Sequence, residues 1–393
     1  MQTPTRLLIT NAKIYTEEGV VSAGSLLVEE GMIKKVFAEN DGHSQLLENI
    51  EVIDGSDLNI IPGFIDGHIH GAAGADVMDA APEALDTIAS VLPEEGTTSF
   101  LATTITQAPE HIEQALENVA HYKNKPGKAE LVGIHLEGPF IEKSKAGAQP
   151  TQYIIEPDME LFKKWQTLSG HQIKTVTLAP EHDQDGTFIQ YLNEKGINVS
   201  AGHTAMNFME TKQAVSHGIH QLTHLCNAMT GIHHRDIGAV GASFQLEELH
   251  AEIIADEIHI SQEMLQMIYD NIGSKRLNLI TDSMRAKYLE PGEHELGGQP
   301  VIVTEDRAIL KEGHSLAGSI LKMSEGAKNM LKLKGVSLTN IIEMASVNPA
   351  KQIGLYERKG SITEGKDADF LLVDDHLNIR YTICRGVIAF KGE

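Results

Sequence analysis

The feature that most narrows the fold is an alternation that begins near residue 61. Short apolar runs ("GFIDGHIH", "TTSFLATT", "LVGIHLEGP", "IKTVTLAPE", "INVSAGHT", "HQLTHLCNA", "HAEIIADEIH" and "LNLITDS") take turns with segments of helical periodicity such as "APEALDTIASVLPEEG", "HIEQALENVAHYK" and "SQEMLQMIYDNIG". Parallel strands need a crossover between them, and a helix is the usual one. Eight such steps over roughly 230 residues match the length of a (β/α)8 barrel. The same units could also build an open, doubly wound sheet. No GxGxxG or P-loop follows the first run, so nothing draws the reading toward a nucleotide fold.

The flanks have a different character. Residues 1–59 contain "RLLITNAKIYT", "GSLLVEEGMIKKVFAE" and "IEVIDGSDLNI", which read as short strands broken by turn residues. Helical segments over 320–334 and 337–350 precede "GSITEGKDADFLLVDDHLNIRYTICRGVIAFKGE", a return to short strands. Residues 1–60 and 357–393 are therefore expected to pair as one small β domain beside a barrel spanning 61–356. A chain of 393 residues is long enough for both cores. A net charge of −23 argues against a general nucleic-acid or anionic-membrane binder. The two cysteines, Cys226 and Cys384, form no CxxC motif, so no disulfide framework is expected and a reducing cytoplasm is the default. The N-terminal residues lack a signal-peptide layout, and no run approaches a membrane span.

Barrel enzymes place their chemistry at the C-terminal ends of strands. Those ends carry His68 and His70 on the first strand, Glu137 on the third, His203 on the fifth, His224 on the sixth and Asp282 on the eighth. In a strand, positions i and i+2 share a face, so His68 and His70 would stand side by side. Two imidazoles beside carboxylates form a nitrogen and oxygen donor set for a metal that leaves a position open. Single histidines at strand ends are commonly structural; it is the joint pattern that points to a metal. His135 points the same way as Glu137 and reads as a hydrogen-bonded neighbour. Cys226 shares a face with His224 by the same alternation but behaves as a small hydrophobe. His259 is either a substrate contact or a loop histidine. His233, His234 and Arg235 form the most basic short patch, either a solvated loop or an anion clamp. The glycines of "SLAGS" allow a close backbone approach or simply a turn.

With these residues in place, the sequence resembles the amidohydrolase superfamily through "PGFIDGHIH" and "GSITEGKDADFLLVD". Within it, "HLEGPFI", "VTLAPE", "VSAGHT", "THLCNAM", "HHRDIGAVGA", "IADEIH", "LITDSMRA" and "LAGSILKM" resemble the N-acetylglucosamine-6-phosphate deacetylase family, in order and over nearly the whole chain. The resemblance implies an α/β fold, a (β/α)8 TIM-like barrel with a small β-sandwich built from both chain termini, in a homodimer. It implies a cytoplasmic enzyme that removes the N-acetyl group of N-acetylglucosamine 6-phosphate in amino-sugar catabolism or cell-wall recycling. Glu137, His203 and His224 would bind the principal metal, and His68 and His70 a second, with Glu137 bridging. The divalent metals, two per subunit, would be zinc or iron. Asp282 would move the proton. Asn227 and Ala228 would bind the phosphate, with Arg235 and His234 reaching in from the neighbouring subunit, and His259 would contact the sugar. One departure is Gln149 in "KAGAQP", where some relatives carry a histidine.

Three rivals frame this expectation. A cyclic-amide hydrolase of the same superfamily would commonly use a carboxylated lysine where this chain has Glu137. A deacetylase of unphosphorylated acetamido sugars would share the metal chemistry. A catalytically dead scaffold would have lost ligands, whereas all six are present.

Overall fold

The computed structural model describes residues 6–38, 50–313 and 315–392; the remainder of the expected 1–60 and 357–393 segments lies outside the described residues. Eight parallel strands form one sheet: Phe64–Ile69, Thr97–Thr104, Glu130–Glu137, Ile173–Leu178, Asn198–Ala201, Gln221–Leu222, His250–Ile254 and Leu277–Ile280. Each pairs with the next in chain order. A doubly wound sheet would reverse its order at a switch point, so the arrangement is a barrel. Its seam closes through the segment after the eighth strand. The Asp282 N–H donates to the His68 carbonyl and the His70 N–H to the Ser283 carbonyl, both at 2.9 Å. Below them the buried Asp66 carboxylate accepts the Thr281 hydroxyl at 2.5 Å.

Alternation within the strands splits their side chains between two environments. On the third strand Ile134 and Leu136 join the core under the helices, which also takes Leu85, Leu116, Trp165 and Ile268. His135 and Glu137 face the barrel axis, where the lining is polar. The His135 Nε2 lies 2.7 Å from the Thr177 hydroxyl, which in turn lies 2.7 Å from that of Thr223. Helix starts are capped by side chains, as by Asp158 on Leu161 and by the reciprocal Asn207–Glu210 pair.

Strands from the two chain ends form a second sheet in the order Val387–Lys391, Ile379–Cys384, Phe370–Val373, Asn59–Pro62, Leu7–Thr16, Gly19–Glu29 and Met32–Phe37, with Glu51–Asp54 pairing to Leu7–Thr16. Hydrogen bonding runs through all eight strands, so both faces of the expected sandwich belong to one continuous sheet. Ile33 and Ile388, from its opposite edges, pack into the same core, so the sheet wraps around that core. Phe370 and Leu372 face this small core, whereas Leu371 and Val373 face the barrel core. One strand therefore ties the two together.

A feature absent from the sequence reading is a three-stranded antiparallel sheet, Gly292–Leu296, Gln299–Val303 and Ala308–Leu310. It docks on the barrel loops through Gln107 to the Gly297 carbonyl (2.7 Å) and Gln299 to the Ala148 carbonyl (2.6 Å). Among the described residues no helix is long and apolar enough to cross a membrane.

Candidate metal centre and active site

The C-terminal mouth of the barrel gathers His68, His70, Glu137, His203, His224 and Asp282, all nearly or fully buried. His68 and His70 flank the last residue of the first strand, and their rings stand 5.4 Å apart. Glu137 is the last residue of the third strand. The other three lie just beyond their strands on left-handed backbone, with φ of +48° at His203, +33° at His224 and +48° at Asp282. Such backbone costs roughly 1–3 kcal/mol per non-glycine residue and persists where surrounding structure enforces it. Here it turns each side chain inward. Asp282 is held on both sides, because its carbonyl also accepts the Ser319 N–H at 2.7 Å. Gly318 makes that approach possible, since a Cβ there would lie 2.9 Å from the Asp282 carbonyl oxygen. Gly318→Ala is therefore expected to cut turnover more than it lowers the melting temperature, measured by steady-state kinetics beside thermal unfolding.

Two groups of donors result, Glu137 with His203 and His224, and His68 with His70 and Asp282. In the first, the His203 and His224 Nε2 atoms are 3.1 Å apart and lie 3.2 and 3.3 Å from Glu137 Oε1. Ligands about 2.0–2.1 Å from a tetrahedral ion stand about 3.3 Å from one another, so the donors already have the spacing of a coordination shell. In the second, Asp282 Oδ1 is 3.4 Å from the His68 Nε2 and 3.2 Å from the His70 Nε2. Among the described residues the buried His68 Nε2 has no hydrogen-bond partner. Glu137 faces both groups, Oε1 toward His203 and His224, Oε2 toward His70 at 3.3 Å.

The electrostatics agree with this donor chemistry. Burial opposes charge on every group, yet the attraction between carboxylates and imidazoles prevails. His68 is raised well above the ordinary imidazole range and His70 up to about 9, both by Asp282 and Glu137. Glu137 is held well below the carboxylate range by His68, His203 and His224, and Asp282 down at about 2 by His68 and His70. The cluster draws positive charge into itself, which a divalent cation supplies in place of protons. A third acidic group, Glu130, Asp367 and Asp369, makes a useful contrast. There Lys359 lies among the carboxylates, 2.7 Å from Glu130 and 3.0 Å from Asp367, so a side chain already provides the cation.

All of the donors but His68 open into a cavity of about 350 Å3, also lined by Gln149, Asn227, Ala228, His259 and Leu296. That is the size class of small-molecule sites. His259 is fixed by Asp256, whose Oδ2 lies 2.6 Å from its Nδ1. His234 and Arg235 are exposed and lie outside this cavity, with the Arg235 Nη1 2.7 Å from the His234 Nε2. His135 sits beneath His68 at a ring distance of 4.5 Å; burial and the neighbouring His68 push its pKa well below the usual range.

Cys226 packs against the hydrophobic core as expected of a small hydrophobe, but the strand alternation used to place it beside His224 does not hold. The sixth strand ends at Leu222, and residues 223–228 are turns, so period-two alternation stops before His224. Burial lifts the Cys226 thiol to about 12. Glu252 escaped the sequence reading, and Gln149, noted there only as a departure from the family pattern, touches the site directly. Gln149 donates from Nε2 to Glu137 Oε2 at 2.8 Å and accepts the Thr106 N–H at 2.7 Å. Glu252, an acid inside the seventh strand, lies 3.1 Å from the His68 Nδ1. An acidic residue within the otherwise apolar "AEIIA" was the available signal for it.

A model of the amidohydrolase family matches residues 59–389. The chain belongs to the amidohydrolase family. This amidohydrolase is 46% identical over 388 residues to the N-acetylglucosamine-6-phosphate deacetylase of Bacillus subtilis (strain 168), covering 98% of this chain and 97% of that protein. It is 33% identical to the N-acetylgalactosamine-6-phosphate deacetylase of Escherichia coli O157:H7, over 94% of this chain and 99% of that one. The crystal structure of N-acetylglucosamine-6-phosphate deacetylase from Thermotoga maritima superposes with a TM-score of 0.87 at 32% identity, covering 98% of this chain and all of that one.

Proposed function

We propose that this amidohydrolase cleaves the acetamido bond of N-acetylglucosamine 6-phosphate, releasing acetate and glucosamine 6-phosphate in amino-sugar catabolism and cell-wall recycling. The observation that carries the reading is the convergence of two metal-spaced donor groups, Asp282 among them, on one sugar-sized cavity. Two divalent cations, zinc or iron, fit the sets Glu137–His203–His224 and His68–His70–Asp282. A bound divalent cation supplies Lewis acidity, lowering the pKa of water and polarising an acyl oxygen. Asp282, whose carboxyl the neighbouring histidines hold at about 2 against the cost of burial, is ionised at neutral pH and accepts the proton of the attacking water. It then returns that proton to the departing amine nitrogen. His259, anchored by Asp256, faces the cavity where it can hold the sugar. Asn227 and Ala228 on the cavity wall take the phosphate. Hydrolysis in oxygen-labelled water tests the chemistry: one labelled oxygen in the released acetate supports amide cleavage, and unlabelled acetate contradicts it.

The chain acts as a homodimer in this reading, with Arg235, and His234 beside it, completing the phosphate site of the other subunit. Their exposure outside their own cavity supports that arrangement. A guanidinium–phosphate contact contributes about 1.5–3 kcal/mol. Arg235→Ala should therefore raise KM about 10- to 100-fold with a smaller change in kcat. Mixing Arg235→Ala with Asp282→Asn protein should regain activity, because a mixed dimer holds one complete site; no gain on mixing contradicts the shared site. The free cysteines fit a reducing cytoplasm.

A further inference from the structure

We propose that Glu252 is a positioning residue for His68, and that a one-directional chain of side-chain carboxamides crossing the barrel holds it in that role. The proposal rests on the two-metal reading above and concerns how the second donor set is built.

The chain can be followed atom by atom. Asn278 Nδ2 donates to Gln352 Oε1, and Gln352 Nε2 donates to Asn198 Oδ1 at 3.4 Å. Asn198 Nδ2 donates to Gln221 Oε1 at 3.1 Å, and Gln221 Nε2 donates to Glu252 Oε1. Glu252 Oε2 faces the His68 Nδ1 at 3.1 Å and accepts the His224 N–H at 3.3 Å. The four barrel residues Asn198, Gln221, Glu252 and Asn278 are all buried.

The direction follows from the end point. A carboxylate has no proton to give, so Gln221 must present its NH2 group and keep its carbonyl for Asn198. The same requirement passes to Gln352 and Asn278. Every donor therefore points toward Glu252, and such chains polarise one another cooperatively. Barrel interiors are ordinarily filled by branched apolar residues, and buried polar groups are costly unless paired. A string of amides through this one is thus tied to what it holds. With Glu252 accepting, the His68 Nδ1 must carry the proton, which leaves the lone pair on Nε2. That atom has no hydrogen-bond partner among the described residues and faces Glu137 Oε1 at 3.5 Å and Asp282 Oδ1 at 3.4 Å. The Lys145 carbonyl, 2.9 Å from the His203 Nδ1, does the same for the first donor set.

The test uses zinc alone as the probe and counts zinc per chain at rising free zinc after chelator treatment. Wild-type protein should bind two. Glu252→Gln removes the charge and leaves a single acceptor oxygen where Gln221, the His68 Nδ1 and the His224 N–H each donate; it should keep the first zinc and bind the second about 10- to 100-fold more weakly. Combining it with Gln221→Glu moves the carboxylate one link along. The new amide then donates to position 221 and accepts from His68, so the double variant should regain the second zinc. Wild-type affinity in Glu252→Gln overturns the role of Glu252, and a double variant as weak as the single one overturns the directional chain. A wild-type protein that binds only one zinc removes the two-metal reading and this proposal together. If Glu252→Gln does not fold, Gln221→Leu keeps the carboxylate and deletes one donor. It should weaken the second zinc selectively, and an unchanged second site overturns the chain.

Discussion

Asp282→Asn should lose most turnover while the protein stays folded. General acid–base transfer contributes roughly 10^2- to 10^4-fold, and Asp282 would serve both halves of the reaction, so kcat should fall by about that factor. Asparagine suits the position because the backbone there is left-handed at φ +48°, a region asparagine tolerates better than most residues. The Asp282 N–H and carbonyl bonds that close the barrel seam involve only backbone atoms of that residue and survive the change. Thermal unfolding should therefore stay near wild type, and the first donor set, Glu137 with His203 and His224, should still hold its cation. Steady-state kinetics with metal analysis on the same sample check this. Near-normal turnover would remove Asp282 from the mechanism.

Stripping metal should have an equally large effect. Chelation leaves two buried carboxylates, Glu137 and Asp282, packed among imidazoles at 3.2–3.5 Å. It also removes the only Lewis acid in the account. A loss of several kcal/mol of transition-state stabilisation corresponds to about 10^3-fold or more in rate. Reloading with zinc or iron should restore activity. Glu137→Gln should not be rescued by reloading, because Glu137 turns one carboxylate oxygen toward His203 and His224 and the other toward His70. Full activity in the chelated protein, verified as metal-free, would contradict the metal assignment. Because a cation binds the folded chain and not the unfolded one, its removal should also lower the melting temperature.

Much of this was legible in the chain. Strand–helix alternation allowed a barrel or an open sheet and the family resemblance implied the barrel, while reading strand ends picked out the six residues that the fold gathers at one mouth. Two kinds of information were not local. His203, His224 and Asp282 point inward through left-handed backbone beyond their strands, so period-two alternation could not orient them, and it misplaced Cys226. Gln149 and Glu252 matter through partners 12 and 184 residues away, and only the folded barrel brings those together. The sheet over 292–310 was hidden for a different reason. Its strands are short and half exposed, with little apolar periodicity to mark them. The polar barrel lining was present as alternation in "TVT", "NVS" and "LNL", within runs whose overall apolar character concealed it.

The most direct test of the central claim is acetate release by metal-reloaded protein from N-acetylglucosamine 6-phosphate, measured beside N-acetylglucosamine and N-acetylgalactosamine 6-phosphate. The account predicts rapid release from N-acetylglucosamine 6-phosphate and very little from the unphosphorylated sugar, with the galactose epimer reporting how closely the cavity reads the ring. No release from either phosphorylated sugar, with metal bound, would contradict it and return the cyclic amides as substrates.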